Sequence, residues 1–142
     1  MEIVRADETH RNLVYALMRE LEGDKLDRDC FEAVYLRNLA DEHIFSLLAM
    51  DAGAALGFLS LHIQFLLHHA GMAAEIQEIV VSEAHRGQGI GEKLFLRARQ
   101  IAAERGCVLL EVCCNQSRAH SHQFYLRQGM KNTHYKFTMP LA

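Results

Sequence analysis

Apolar residues along the chain change their spacing several times, and each change marks an element. Glu2 to Arg5 reads as a short strand. Leu13, Val14, Leu17, Met18 and Leu21 then recur at three- and four-residue steps, the period of one helix face, with Asp7 as N-cap and Gly23 as stop. Asp27 or Asp29 can cap a second helix, with Phe31, Val34, Tyr35 and Leu39 on one face. His43 to Met50 is a strand, Asp51-Ala52-Gly53 a turn, and Ala55 to Leu67 the hairpin partner. The next strand runs from about Met72 to Val81, and the helix after it ends at Arg105 before Gly106. That helix carries Ile90, Leu94, Ala98, Ile101 and Ala102 as an apolar stripe for packing on a sheet. Val108 to Cys113 is nearly continuous in apolar residues, the mark of an interior strand. Asn115 or Ser117 can cap a short helix to Gln128, stopped by Gly129, and Thr133 to Met139 reads as a last strand.

The element order is therefore β-α-α-β-β-β-α-β-α-β. Hairpins early and strand–helix alternation late predict a mixed, mostly antiparallel α/β sheet with helices on both faces. No linker, repeat or low-complexity tract interrupts it, so residues 1–142 are expected to form a single domain.

Composition changes this picture little. Half of the residues are hydrophobic and the net charge is −3, so nothing suggests a nucleic-acid surface. Mild acidity suits a small cationic substrate instead. The four cysteines (Cys30, Cys107, Cys113, Cys114) show no C-x-x-C spacing and read as thiols in a reducing compartment. No leader-like apolar segment or membrane span is visible, and a cytoplasmic location is expected.

Chemistry concentrates in Glu75 to Gly91, EIQEIVVSEAHRGQGIG. A β-branched strand ends in a polar turn, and Gly87, Gly89 and Gly91 open the following helix. Such a loop brings backbone N–H groups and a helix dipole to a phosphate. Glu92 occupies the place of the last glycine of a dinucleotide fingerprint, and Lys93 is followed by Leu94, which excludes a P-loop. What remains, Arg86-x-x-Gly89-x-Gly91, closely resembles the acyl-CoA pyrophosphate loop of the GNAT superfamily of N-acetyltransferases. Asn115, then Phe124-Tyr125, then Gly129-Met130 match a second GNAT pattern, with Met130 in place of the usual Phe. HIQFLLHH (His62–His69), QFYLRQG (Gln123–Gly129) and THYKFT (Thr133–Thr138) look like the aminoalkylphosphonate N-acetyltransferases in particular.

The resemblance implies acetyl-CoA as co-substrate. Arg86, Gly87, Gln88, Gly89, Ile90, Gly91 and Glu92 would take its pyrophosphate through main-chain N–H groups. Ile79, Val80 and Val81 would offer backbone to the pantetheine arm, and Asn115 would bind along that arm. Glu75 and Glu78, carboxylates on an otherwise apolar strand, are the candidates for a base that removes the ammonium proton, and the resemblance favours Glu75. In a regular strand they point to opposite faces unless a bulge intervenes. Tyr125 is the candidate acid at the CoA sulfur. His62, His69, His134 and Lys136 are candidates for the substrate side. The histidine spacing gives no H-x-x-x-H or H-E-x-x-H pattern, and no metal is assigned. The expected partner is a small-molecule amine, with no nucleic acid and no membrane, and a homodimer left open. A protein N-terminus, a polyamine or an aminoglycoside is an alternative acceptor, and a non-catalytic acyl-CoA-binding module the alternative class.

Overall fold

The structure is a computed structural model that describes all 142 residues. The chain falls into two compact units, Met1–Glu111 and Val112–Ala142. In the first, β1 (Glu2–Arg5) leads through a 3-10 turn capped by Asp7 into α1 (Arg11–Glu22), and α2 (Arg28–Leu39) follows. Asp27 caps α2 by accepting from the Cys30 N–H at 2.9 Å. The sheet is completed by β2 (Ile44–Asp51), β3 (Ala54–Leu66), β4 (Gly71–Val81) and β5 (Leu109–Val112), in the order β1-β2-β3-β4-β5. The pairs β1/β2, β2/β3 and β3/β4 are antiparallel. Between β4 and β5 runs α3 (Ile90–Glu104). No helix is long and apolar enough to cross a membrane.

Alternation along the strands decides which helix meets which face. Leu48, Phe58 and Val80 cluster with Val14 and Leu17 of α1 and Tyr35 of α2. Residues of the other parity, including Leu59, Leu61 and Ile76, are also fully buried, and the predicted stripe of α3 is buried throughout. Gly57 shows how closely α3 lies: a Cβ there would meet the Val80 carbonyl at 3.0 Å, Leu94 at 3.1 Å and Ile90 at 3.2 Å. The helices thus cover both faces, as expected. On α2 the predicted face narrows, because Val34 is exposed while Phe31, Tyr35 and Leu39 join the cluster.

Two expectations fail together. The last strand over Thr133–Met139 is not formed, and residues 130–142 carry no regular structure. Tyr135, Phe137 and Met139 alternate correctly for a half-buried strand, yet each is at least 80% exposed. Alternation supplies a face, but a strand also needs a partner edge for its N–H and C=O groups. Without that strand β5 ends the sheet instead of lying inside it, and Val108 and Leu109 are exposed where an interior strand would be covered on both faces. The observed order closes at α4 (Ala119–Arg127).

Candidate active site

An irregularity in β4 brings two of the candidate groups together. Glu78 stands opposite Ser60 of β3, but Ile76 stands opposite Leu61, so β4 carries one extra residue, Gln77. A bulge of this kind reverses the parity of everything beyond it. Glu75 therefore stands opposite His62. Ser60 and His62 are two residues apart and share a face, so Glu75 and Glu78 share it as well. The opposite-face expectation for a regular strand is corrected, because the intervening bulge is present. Two residues of rise separate the rows, roughly 7 Å along the sheet.

That face is graded along its length. The row Leu48–Phe58–Val80 lies in the cluster with α1 and α2. The next row is Ser46–Ser60–Glu78 and the one after it Ile44–His62–Glu75. Both serines are buried, while His62, Glu75 and Glu78 are half-buried. Ser60 Oγ donates to Glu78 Oε1 and accepts from the Glu78 N–H at 3.2 Å. His62 Nε2 is buried with no hydrogen-bond partner. Leaving a buried polar atom unpaired costs on the order of 1–3 kcal/mol, so this nitrogen points to a ligand or water completing the site. In the sequence no motif marks either serine, and the one local signal is that each is a polar break inside a long apolar run.

The glycine loop belongs to the same compact unit. A 3-10 turn, Glu83–His85, precedes it, and Arg86 Nε donates to the Val81 carbonyl at 3.3 Å, fastening the loop to the end of β4. Gly87 and Gly89 have φ of +77° and +79°, the left-handed region that favours glycine. No heavy atom lies within 4 Å of a Cβ built on either, so the backbone is open on that side. Gly89 is the N-cap of α3 and has no side chain to satisfy the first-turn N–H groups. Open backbone, unpaired N–H groups at Ile90, Gly91 and Glu92 and the positive end of a 15-residue helix are the features a pyrophosphate needs. Gly57, not singled out in the sequence, is what lets Ile90 sit so close to β3.

The outer edge of β4 is paired by β5 over only part of its length. The Val108 N–H donates to the Met72 carbonyl at 2.8 Å, where β5 begins beside β4. β5 ends four residues beyond Val108, whereas Ile79 lies seven beyond Met72, so Ile79–Val81 extend past its reach. Backbone there can pair with an amide-bearing chain.

In the unit Val112–Ala142, Tyr125 lies on α4, half-buried, its ring edge-on to Phe124 at 5.4 Å. Burial, and then the charge of Cys114, push its hydroxyl up to about 12, with Arg118 opposing. Asn115 Oδ1 accepts from the Ser117 N–H at 2.9 Å and the Ser117 hydroxyl at 2.7 Å, a local turn ahead of α4. Neither residue caps that helix as expected, because its N-cap position falls on Arg118, which makes no side-chain cap hydrogen bond. His134 and Lys136 lie on the exposed, irregular tail, not on a strand, and His134 Nδ1 contacts the Thr133 hydroxyl at 2.6 Å. His68 and His69 sit in the 3-10 turn between β3 and β4 with ring centroids 4.2 Å apart, not diverging as strand neighbours would.

The family model described as acetyltransferase (GNAT) family matches residues 10–130. The chain is 41% identical over 140 residues to an aminoalkylphosphonate N-acetyltransferase of Salmonella typhimurium, covering 99% of this chain and 91% of that protein. Among solved structures, a transcriptional regulator from Bacillus halodurans C-125 superposes with a TM-score of 0.91 at 22% identity, over 99% of both chains. An aminoglycoside N-acetyltransferase in complex with CoA gives 0.88 at 19% identity, over 98% of this chain and 93% of its own. At these identities the structural likenesses establish the fold alone.

Proposed function

The chain belongs to the acetyltransferase (GNAT) family, and from that premise we propose that it transfers acetyl from acetyl-CoA to the primary amine of an aminoalkylphosphonate. It is an acetyl-CoA-dependent N-acetyltransferase. The phosphonate acceptor is our reading, and the observation that carries it is 41% identity along 99% of the chain to an enzyme of that name. One catalytic domain, residues 1–142, is proposed to carry the reaction.

The roles follow from the chemistry of each group. Acetyl-CoA, when bound, supplies the acetyl group already activated as a thioester. Arg86 to Glu92 hold its pyrophosphate by main-chain N–H groups, a role the left-handed, unobstructed Gly87 and Gly89 support. Ile79–Val81 offer backbone beyond the reach of β5 to the pantetheine amides, and Asn115 binds along that arm. An alkyl ammonium has a pKa near that of Lys, about 10.4, and cannot attack until it loses a proton. Glu75 takes that proton, directly or through water, and is half-buried on the polar stretch of the sheet. His62, with its unpartnered Nε2, serves the acceptor side, together with His69; His134 and Lys136 supply cations for a phosphonate.

Tyr125 faces the leaving sulfur in this scheme. With its hydroxyl pushed up to about 12, it stays protonated at neutral pH. A thiolate of pKa about 8.5 cannot take its proton outright without an uphill step. Tyr125 therefore acts by donating a hydrogen bond to the developing thiolate, and the proton itself comes from solvent.

The test is a panel of amines with detection of released CoA thiol. Aminomethyl- and aminoethylphosphonate are expected to give steady release. Release confined to a polyamine, an aminoglycoside or a peptide N-terminus would keep the enzyme and overturn the acceptor.

A further inference from the structure

The bulge at Gln77 sets a second carboxylate beside Glu75, and one buried hydroxyl decides where it points. Ser60 is 3% exposed in the middle of β3, and its Oγ meets Glu78 twice, once at the carboxylate and once at the backbone N–H. A hydroxyl has one donor and two acceptor sites, so donor and acceptor are both used on the same residue. Only Glu78 Oε1 is taken up in this way, which leaves the other carboxylate oxygen without a hydrogen bond inside the chain. Glu78 is half-buried on the face that Glu75 and His62 share.

We propose that Ser60 is a positioning residue for the acceptor amine. It fixes the Glu78 carboxylate so that its second oxygen receives the substrate's ammonium, and Glu75, one row further along, then takes the proton. The two carboxylates divide the work: one holds the cation and the other deprotonates it. No covalent step is added; the proton leaves nitrogen for Glu75 and the nitrogen lone pair becomes free. The inference rests on the reading that this face receives the amine, and it adds a residue and a role that reading lacks.

Charge-assisted hydrogen bonds fix a long, flexible side chain in one rotamer, so their loss appears first in binding of the cation. Ser60→Ala should raise the KM for the amine, with kcat/KM falling about 10- to 100-fold and the acetyl-CoA KM unchanged. Ser60→Thr, which keeps the hydroxyl, should recover a large part of the loss.

The deciding experiment is the double-mutant cycle of Ser60→Ala with Glu78→Gln, on one good substrate, with thermal melts for each variant. If Ser60 acts through Glu78, the double variant is no slower than Glu78→Gln alone, within about twofold. Amide exchange at Glu78 should also quicken in Ser60→Ala, because that N–H loses its side-chain acceptor. Additive losses, or a silent Ser60→Ala with unchanged exchange, would overturn the assignment and return Ser60 to packing. Failure of the underlying reading looks different: wild-type protein that releases no thiol with any amine overturns both.

Discussion

Glu75 and Glu78 show how far single residues could be read. Both stood out in the sequence as carboxylates on an apolar strand. Their sharing of a face did not, because side-chain period fixes parity only while the ladder is regular. The extra residue at Gln77 is a property of the pairing with β3 and has no local signature in EIQEIVV. Glu75→Gln should preserve fold and acetyl-CoA affinity while lowering kcat/KM by about 10²–10⁴-fold. The loss should shrink as pH rises, since more amine then arrives neutral. Steady-state profiles of the variant across pH 7–10 check this, and a flat profile contradicts a base role.

Glu78→Gln should also be impaired, through a raised KM for the amine and without the same recovery at high pH. Tyr125→Phe should lower kcat more than it raises the acetyl-CoA KM, because a donor to the thiolate matters after the ground state. Single-turnover kinetics decide this one. An unchanged chemical rate would leave Tyr125 as packing beside Phe124.

At the scale of elements, most of the chain was legible where a local cause is strong. Asp7, Asp27, Gly23 and Gly106 punctuate helices by capping or by positive φ, and their side chains or backbone freedom can be read without a fold. The glycine loop is of this kind too. Gly89→Val would force a β-branched residue to φ near +79° and crowd the surface where pyrophosphate approaches. Calorimetry should show CoA affinity falling by at least about tenfold in a folded variant; unchanged affinity would detach the loop from the cofactor.

Gly57 was not legible, because its reason is the nearness of Ile90 and Leu94, which only the packed α3 supplies. The same limit explains the closing strand. Tyr135, Phe137 and Met139 carry the right alternation, but a strand is completed by a neighbour's hydrogen bonds, and period says nothing about those.

For the molecule as a whole, the sequence order of elements up to α4 and the cover of helices on both faces followed from periodicity. The chemistry followed from a family resemblance anchored on a few residues. A global consequence concerns alkaline pH. Burial, and then the charge of Asp7, push the Tyr35 hydroxyl up to about 12 from an unfolded value of 10.0. Its hydroxyl donates to the Asp7 carbonyl at 2.7 Å and its ring lies in the cluster under β2 and β3. Between these two values the native state binds more protons than the unfolded state, so stability is full below about pH 10 and declines as pH rises towards 12. Denaturant melts from pH 9 to 11.5 should show this limb, and Tyr35→Phe should flatten it; an equally steep limb in the variant would place the cause elsewhere.

One comparison tests the proposed acetyl transfer to an amine that carries a phosphonate. The kcat/KM for 2-aminoethylphosphonate is measured against that for propylamine, which keeps the amine and lacks the anion, with CoA thiol release and the N-acetyl product both followed. Product is expected from both amines, with a preference for the phosphonate of at least about 10²-fold, the size expected when a charged recognition contact is lost. Equal kcat/KM for the two amines, or no N-acetyl product from 2-aminoethylphosphonate, would contradict it.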